Sequence, residues 1–401
     1  MDTKKILAQY EKFVAPTYTR LPIVLVKGKG ARVWDLDGRE YLDFFPGWAV
    51  SGLGHCHPLV IKAIKAQAGK MLHVSNNYYN LLQGRLAAEI IKNSFDGKVF
   101  FANSGAEANE AAIKLARRYF SIIKKEERYE IITMENSFHG RTLATITATA
   151  QTKYQQGFAP LPAGFKYVPF NDFDALKSAI TDKTGAIMFE LIQGEGGINV
   201  VDKEYVLKVR QLCDEKGILL IFDEVQTGMG RTGTVFLFKQ YGVAPDVMTL
   251  AKSLGGGMPI GAMAAESKFA DVLQPGTHAS TFGGSPIVCA AALAVFEAIK
   301  KERLLANTKK MGDYLRGLLL ALKDKYNFIS DVRGLGLMLG VELNMEGKAI
   351  VQCCIEKGLL INCTHDKVLR IMPPLIVTKQ EIDKAIKILD EVLYKQQSMS
   401  S

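Results

Sequence analysis

The stretch KVFFANSGAEANEAAIKLARRYF, residues 98–120, joins two patterns that fold differently. Its first six residues form a short apolar run that predicts a strand. The alanine-rich segment from 105 to 120 predicts a helix with an acidic first turn and a basic last turn. Ser104, Gly105 and Ala106 open that helix, where free N–H groups suit a phosphate. Ser104 and Glu107 also fit an ordinary capping box, and the two interpretations are compatible.

The same alternation recurs along the chain. Continuous apolar strands are predicted at residues 129–134, 185–191, 217–223 and 246–251, and helices such as 204–217 separate them. Strands that are apolar on both faces need helices over both faces of a parallel sheet. We therefore expect an α/β fold, with residues 57–286 forming a large domain around a mostly parallel sheet.

The pattern changes after residue 286. A helical stretch over about 287–325, a strand at 334–343, a strand within 368–375 and an amphipathic helix from about 379 predict a smaller α+β domain over 287–401. Residues 1–56 contain alternating strands around the turn DLDG and are predicted to pack on the other domains.

Composition excludes several classes of protein. The chain has 401 residues, 48% hydrophobic and 23% charged, which is ordinary for a soluble globular protein. It has no apolar run of membrane-spanning length and no secretory signal at its start, so we expect a cytoplasmic protein. The formal charge of +9 is spread widely, without a basic stripe or a nucleic-acid-binding module. Six cysteines without a CxxC pair predict free thiols, and His55 and His57 predict no metal site because no further ligand cluster accompanies them.

Polar side chains follow several predicted strands, at the edge where ligands of open α/β sheets bind. Phe138 and Arg141 follow the strand at 129–134, and Glu195 lies in a glycine-rich turn after the strand at 185–191. Asp223 ends the strand at 217–223, and Lys252 follows the last one. Asp223 could alternatively cap the segment after it, and a buried lysine cation would cost several kcal/mol.

Pyridoxal 5′-phosphate is one ligand that uses all of these groups. Its phosphate would bind at the helix start and its ring would stack on an aromatic side chain. An aspartate would keep the ring nitrogen protonated, and a lysine would bond covalently to the aldehyde. Such a bond explains why Lys252 follows a buried strand, because the lysine is then no buried cation.

Seven motifs in order carry a family resemblance. They are GHCHP, NSGAEANEAAIKLAR, SFHGRT, IQGEGG, LIFDEVQTGMGRTG, TLAKSLGGGMPIGA and HASTFGGSP. The chain resembles the class III, fold-type I, pyridoxal-phosphate-dependent aminotransferases over nearly its whole length, and most of all the branch that acts on N-acetylornithine. Trp48 departs from that branch, which usually carries an aliphatic residue there, and this leaves the preferred acyl group open.

The resemblance implies a role for each candidate residue. Lys252 would bind the cofactor and move the proton, and Asp223 would pair with the ring nitrogen. The other implied cofactor contacts are Ser104, Gly105, Ala106, Phe138, Glu224, Val225, Gln226 and, from the neighbouring subunit of a homodimer, Thr281. The implied substrate contacts are Arg141, Ser280, Trp48, Arg370 as the grip on the α-carboxylate of glutamate, and Glu195 as the group that covers Arg370.

The implied reaction moves the terminal amine of N-acetylornithine to 2-oxoglutarate, which yields N-acetylglutamate semialdehyde and glutamate, a step of arginine synthesis. Four alternative donors stay open: ornithine, succinylornithine, succinyldiaminopimelate and 4-aminobutyrate. A related lyase, mutase or racemase, or a binding protein that has lost catalysis, are further alternatives.

Overall fold

The computed structural model describes residues 2–400. The helices are α1 (Thr3–Phe13), α2 (Pro58–Ala68), α3 (Leu81–Lys92), α4 (Gly105–Arg118), α5 (Leu143–Ala148), α6 (Thr152–Gln155), α7 (Phe173–Ala179), α8 (Lys203–Lys216), α9 (Phe238–Tyr241), α10 (Pro286–Lys301), α11 (Leu304–Lys325), α12 (Lys348–Glu356) and α13 (Lys379–Ser400). A π-helical turn covers Tyr119–Lys124, and a 3-10 turn covers Lys252–Gly255. No helix within residues 2–400 combines the length and the apolar character that crossing a bilayer requires.

The strands of the described residues form four sheets. They are β1 (Leu25–Lys29), β2 (Arg32–Asp35), β3 (Glu40–Asp43), β4 (Gly97–Ala102), β5 (Glu130–Met134), β6 (Phe165–Val168), β7 (Thr184–Phe189), β8 (Ile192–Gln193), β9 (Asn199–Val200), β10 (Leu219–Asp223), β11 (Val247–Leu250), β12 (Gly261–Glu266), β13 (Ile329–Leu335), β14 (Met338–Leu343), β15 (Leu359–Leu360), β16 (Asn362–Thr364) and β17 (Val368–Ile371).

The large sheet has the strand order β4-β12-β11-β10-β7-β5-β6. The pairs β11–β10, β10–β7, β7–β5 and β5–β6 are parallel, and β12 runs antiparallel to both of its neighbours. Strands β7 and β10 are buried along their whole length, as their apolar sequence predicts. This sheet confirms the predicted α/β fold with a large, mostly parallel sheet.

Strand β12 was not predicted, because its residues GAMAAE show no long apolar run. The close approach of β12 to the start of α4 explains why this strand begins with glycine. A Cβ on Gly261 would overlap the backbone of Ser104, so only glycine lets β12 lie this close to the start of α4.

Helix α4 shows why its sequence folds as it does. The Ser104 hydroxyl accepts a hydrogen bond from the Glu107 N–H at 3.2 Å, and the Glu107 carboxylate accepts one from the Asn103 N–H at 2.7 Å. Both bonds satisfy N–H groups at the start of the helix. Alanines fill the buried face of α4 and let the helix approach β11 and β12 closely. The start of α4 is thereby held at one edge of the sheet.

The segment 334–343 is not the single strand that its apolar run predicts. It forms a hairpin in which β13 and β14 are antiparallel and Leu335 lies opposite Met338. Gly334 and Gly336 have φ values of 121° and 56°, which only glycine adopts without strain. These glycines let the chain reverse, and β14 then pairs with β17.

The predicted domain boundaries stay a prediction. Strand β15 joins the sheet of β1, β2 and β3, so the first residues and the C-terminal part share one sheet. Helix α10 packs on α2 and α3, and one hydrophobic core contains residues from both sides of residue 286.

Candidate active site

A cavity of about 480 Å³ lies at the edge of the large sheet where β4, β5, β7, β10 and β11 end and the antiparallel β12 begins. Ten of the predicted site residues line it: Ser104, Gly105, Ala106, Phe138, Arg141, Glu195, Asp223, Val225, Gln226 and Lys252. These residues are up to 148 positions apart in the chain (252 − 104) and meet because their strands end at one edge.

Asp223 is buried at the base of this cavity. Its Oδ2 accepts hydrogen bonds from Asn109 Nδ2 and from His139 Nδ1, both at 2.8 Å, and its Oδ1 accepts one from the Val225 N–H at 3.0 Å. Burial lowers the pKa of His139, but the hydrogen bond and the charge of Asp223 outweigh burial and raise it above its ordinary value. Asn109, His139 and the Val225 N–H thus give this buried carboxylate three hydrogen-bond donors.

Sequence reasoning missed Asn109 and His139. Both lie in motifs quoted above, NSGAEANEAA and SFHGRT, where each follows a predicted site residue. The signal that could have found them is the buried carboxylate itself, because Asp223 needs polar partners.

Lys252 is half-buried and reaches the cavity from the 3-10 turn after β11. Its φ of 48° is in the left-handed region, which is uncommon for a residue other than glycine. Burial lowers the pKa of its amine, and the carboxylates of Glu195 and Asp223 offset this only in part. A lowered pKa enlarges the fraction of neutral amine, which is the nucleophilic form.

The start of α4 forms a cradle for an anion. The first N–H groups of a helix have no carbonyl partner within the helix, and the helix dipole adds positive potential there. A Cβ on Gly105 would come within 2.9 Å of Val225 Cγ1, so glycine keeps the backbone open beside Val225. This geometry suits a phosphate group.

The residues of the cavity fit pyridoxal phosphate. Gln226 is buried and lines the cavity, and its Oε1 has no hydrogen-bond partner among the described residues, so a polar ligand would satisfy this amide. Beside it lie the anion cradle, the carboxylate of Asp223 and the amine of Lys252. Phe138 and Val225 add apolar surface for a ring.

Arg370 lies behind Glu195 and is 1% exposed. Its Nη1 donates to Glu195 Oε1 at 2.5 Å and to the Gly194 carbonyl at 3.1 Å. Burial raises the pKa of Glu195, but the charge and hydrogen bond of Arg370 outweigh it, and the pKa is lowered overall. The ion pair therefore covers the arginine side chain in this structure.

Glu190 is a further buried acid that sequence reasoning missed. It lines the cavity and accepts hydrogen bonds from the N–H groups of Phe138 at 2.9 Å and Gly194 at 3.2 Å. Burial raises its pKa to about 7. Glu190 thus ties the loop of the aromatic residue to the turn that holds Glu195.

The structure does not bring every predicted residue to the cavity. Glu224 lies outside the cavity lining, and its carboxylate accepts hydrogen bonds from Thr227 Oγ1 and from the N–H groups of Leu237 and Phe238, so its role as a cofactor contact stays a prediction. The side chains of Asp223 and Glu224 point to opposite sides, so Glu224 binds the backbone at the start of α9 instead.

Three other predicted residues lie outside the cavity lining. Ser280 accepts a hydrogen bond from Asn103 Nδ2 at 3.1 Å, and Asn103 itself lines the cavity. Thr281 is exposed on this chain. Trp48 is 49% exposed, with its ring 6.1 Å from that of Phe45.

The sequence and the fold together define the class of the protein. The family model of class-III aminotransferases matches residues 13–393, and the chain belongs to this family. It is therefore a pyridoxal-phosphate-dependent aminotransferase, as the motifs predict.

Individual relatives and solved structures are similar to this chain over nearly its whole length. The chain is 57% identical to the acetylornithine aminotransferase of Methanocaldococcus jannaschii, over 95% of this chain and 96% of that protein. It is 56% identical to the acetylornithine aminotransferase of Caldanaerobacter subterraneus, over 96% of this chain and 98% of that protein. Among solved structures, the ornithine aminotransferase of Toxoplasma gondii ME49 superposes with a TM-score of 0.96 at 34% identity, covering 100% of this chain and 96% of that one. The acetylornithine aminotransferase of Elizabethkingia anophelis gives 0.88 at 32% identity, covering 98% and 100%.

Proposed function

We propose that this aminotransferase moves the terminal amine of N-acetylornithine to 2-oxoglutarate and yields N-acetylglutamate semialdehyde and glutamate. The observation that carries the proposal is the buried pair of Arg370 and Glu195 beside Lys252. An enzyme that accepts both a terminal amine and an α-amino acid needs an arginine that can be covered for one substrate and uncovered for the other. The high identity to acetylornithine aminotransferases over the whole chain supports this substrate.

The cofactor supplies an aldehyde that bonds to amines and a ring that accepts an electron pair from the adjacent carbon. The Nζ of Lys252 would hold the cofactor, and its amine would move the proton at the reacting carbon of the substrate. Asp223, which accepts three hydrogen bonds, would pair with the ring nitrogen. The N–H groups of Gly105 and Ala106, with Ser104 beside them, would bind the phosphate.

The remaining residues orient the ring and the substrates. Phe138 and Val225 would flank the ring, and the Gln226 amide would donate to its phenolic oxygen. Arg141 binds a substrate carboxylate, with Ser280 nearby. Glu195 covers Arg370 while the amine donor reacts, and it moves aside when the α-carboxylate of glutamate or 2-oxoglutarate binds as a two-bond fork.

We further propose a cytoplasmic homodimer in which Thr281 of each subunit reaches the phosphate site of the other. Thr281 is exposed on the single chain and lies outside its own cavity, which leaves it free for such a contact.

Steady-state kinetics test the substrate. With 2-oxoglutarate as acceptor, N-acetylornithine should have a higher kcat/KM than ornithine, succinylornithine, succinyldiaminopimelate or 4-aminobutyrate. A higher value for any of these four would overturn the proposed donor.

Trp48 leaves the acyl group open, so succinylated donors are the second candidate. Trp48 lies close to Phe45, whose ring contacts Arg370, so its side chain stands near the substrate end of the site. The variant Trp48→Val should change the ratio of kcat/KM between acetylated and succinylated ornithine if Trp48 selects the acyl group. An unchanged ratio would remove Trp48 from the substrate contacts.

A further inference from the structure

Asn362 holds Arg370 by one edge of its guanidinium group. We propose that Asn362 is a positioning residue that determines how strongly the enzyme binds the substrate carrying an α-carboxylate, an inference that rests on the proposed function. Asn362 and Arg370 lie directly opposite each other on the antiparallel strands β16 and β17. Asn362 Oδ1 accepts hydrogen bonds from Arg370 Nε at 2.8 Å and from Nη2 at 2.5 Å.

The hydrogen bonds of Arg370 show which of its N–H groups remain available to a substrate. A guanidinium has five N–H groups in a fixed plane. In the described structure Nε and one Nη2 hydrogen go to Asn362, and the two Nη1 hydrogens go to Glu195 and the Gly194 carbonyl. Among the described residues, one Nη2 hydrogen is left without an acceptor, and it lies at the end of the group beside one of the two Nη1 hydrogens.

When Glu195 moves aside, Nη1 and Nη2 each offer one hydrogen at the end of the group. These two parallel donors match the two oxygens of a carboxylate. Asn362 blocks the other edge, at Nε, so the end of the guanidinium is the edge that a substrate meets.

Asn362 also limits the competing ion pair. Glu195 contacts Arg370 through Nη1 only, and no second contact with Nε is possible while Asn362 occupies that edge. Without Asn362, the edge formed by Nε and Nη2 would be open, and Glu195 could bind that edge through two bonds and compete better with the substrate. Asn362 therefore favours an arginine that the α-carboxylate can reach.

Strand β16 positions both members of the pair. Asn362 and Thr364 are two residues apart and so project from the same face of the strand. The Thr364 hydroxyl donates to the Glu195 carbonyl at 2.7 Å. The ring of Phe45 lies 4.6 Å from the guanidinium carbon and supports the face of the arginine. The guanidinium group of Arg370 is thus held by Asn362 at its Nε edge and by Phe45 on one face. The end formed by Nη1 and Nη2 remains available to a carboxylate.

The experiment compares the two half-reactions in Asn362→Ala and Asn362→Leu. The leucine variant keeps a side chain that branches at Cγ and removes the acceptor, whereas the alanine variant also removes the packing, so the pair separates loss of the hydrogen bonds from loss of packing. Stopped-flow absorbance of the holoenzyme follows glutamate and the terminal-amine donor separately. We expect the dissociation constant of glutamate to rise about 10-fold or more in both variants, because hydrogen bonds to a charged group contribute more to binding than neutral ones. The half-reaction with the terminal-amine donor should be nearly unchanged.

Two controls complete the test. Asn344→Ala changes an exposed asparagine just after β14, and it should alter neither half-reaction. Calorimetric titration of the holoenzymes with glutarate, which carries no amine, should show the same weakening without turnover.

Equal loss in both half-reactions, or unchanged glutamate binding in both variants, would overturn the role of Asn362. If the unchanged enzyme reacts with neither glutamate nor 2-oxoglutarate, the proposed function fails and the inference with it. Failure of the inference alone leaves the wild-type reaction intact, so the two failures are distinguishable.

Discussion

Asp223 takes its chemical character from residues that are distant in the sequence. Asn109 comes from α4 and is 114 positions away, and His139 comes from the loop after β5. Each donates to the same carboxylate oxygen. An aspartate that merely capped its own following segment would need the Val225 contact alone.

Replacing Asp223 by asparagine tests this network at the residue scale. Asp223→Asn keeps the shape but removes the charge that would hold a proton on the ring nitrogen and that raises the pKa of His139. Loss of a charged hydrogen bond costs about 1.5–3 kcal/mol, so kcat/KM should fall about 10- to 150-fold. Steady-state kinetics measure this loss.

Asp246→Asn is the matched control for Asp223→Asn. Asp246 is equally buried but binds Arg210 and the Leu220 N–H outside the cavity. This variant should lower Tm and leave the kcat of the folded enzyme unchanged. A loss of kcat in both variants would mean that the effect is structural.

The lowered pKa of Lys252 gives a second prediction at this scale. In protein freed of cofactor, the midpoint for acylation of this amine should lie below the ordinary lysine pKa of about 10.4, since burial disfavours the charged form. Because the unfolded state then binds more protons, the unfolding free energy should increase with pH between the lowered pKa and that ordinary value.

Competitive labelling with mass spectrometry measures this midpoint. The remaining lysines of the same sample serve as the internal standard, and Lys252→Ala identifies the labelled peptide. A midpoint at or above about 10.4 would contradict the effect of burial.

At the scale of elements, two glycines of α11 have opposite surroundings. Gly312 is buried against the turn of the β13–β14 hairpin, where an added Cβ would overlap the Gly336 carbonyl. Gly317, one and a half turns further along the helix, is exposed, and an added Cβ would meet nothing within 4 Å. The contact at Gly312 packs the helix onto the hairpin that pairs with β17, the strand of Arg370.

The pair Gly312→Ala and Gly317→Ala is a prediction about this packing. Replacing glycine by alanine inside a helix stabilises the helix by about 1 kcal/mol, and this gain is the same in both variants. Gly317→Ala should therefore raise the free energy of unfolding by about 0.5–1 kcal/mol, whereas overpacking at Gly312 should lower it by about 1–3 kcal/mol. Chemical denaturation measures both. If both variants change the free energy of unfolding in the same direction, the hairpin turn must shift to accommodate the methyl group added to α11.

Element geometry also explains why Glu224 lies outside the cavity lining. The residue comes directly after Asp223, the last residue of the buried strand β10, but its carboxylate binds the N–H groups at the start of α9. Burial raises its pKa to about 7. A buried acid at a strand end is thus a site residue only when its side chain projects to the ligand side.

At the scale of the whole molecule, the proposed homodimer predicts an exchange of site residues between subunits. A purified heterodimer of one Lys252→Ala subunit and one Thr281→Glu subunit should regain about half of the wild-type activity, because one of its two sites combines an intact Lys252 with an intact Thr281. Differently tagged subunits, expressed together and purified on both tags, allow this measurement.

The inverse heterodimer is the control. A wild-type subunit paired with a Lys252→Ala, Thr281→Glu subunit has no intact site if Thr281 acts across the interface, so it should be nearly inactive. Half activity in this control, together with none in the first heterodimer, would place Thr281 in the site of its own subunit.

The sequence by itself determined the α/β fold, the family and most of the cavity. Apolar strands followed by helices allow few arrangements other than a parallel sheet, and the carboxyl ends of such strands share one edge. Residues at or just beyond the ends of the strands, such as Asp223 and Lys252, therefore had to meet. Only the tertiary structure decided which way neighbouring side chains point and which distant residues pair. It turned Glu224 away from the cavity, brought Asn109 and His139 to Asp223, and placed Asn362 opposite Arg370. These contacts depend on strand register and on the packing of α4 against the sheet, which local periodicity does not encode.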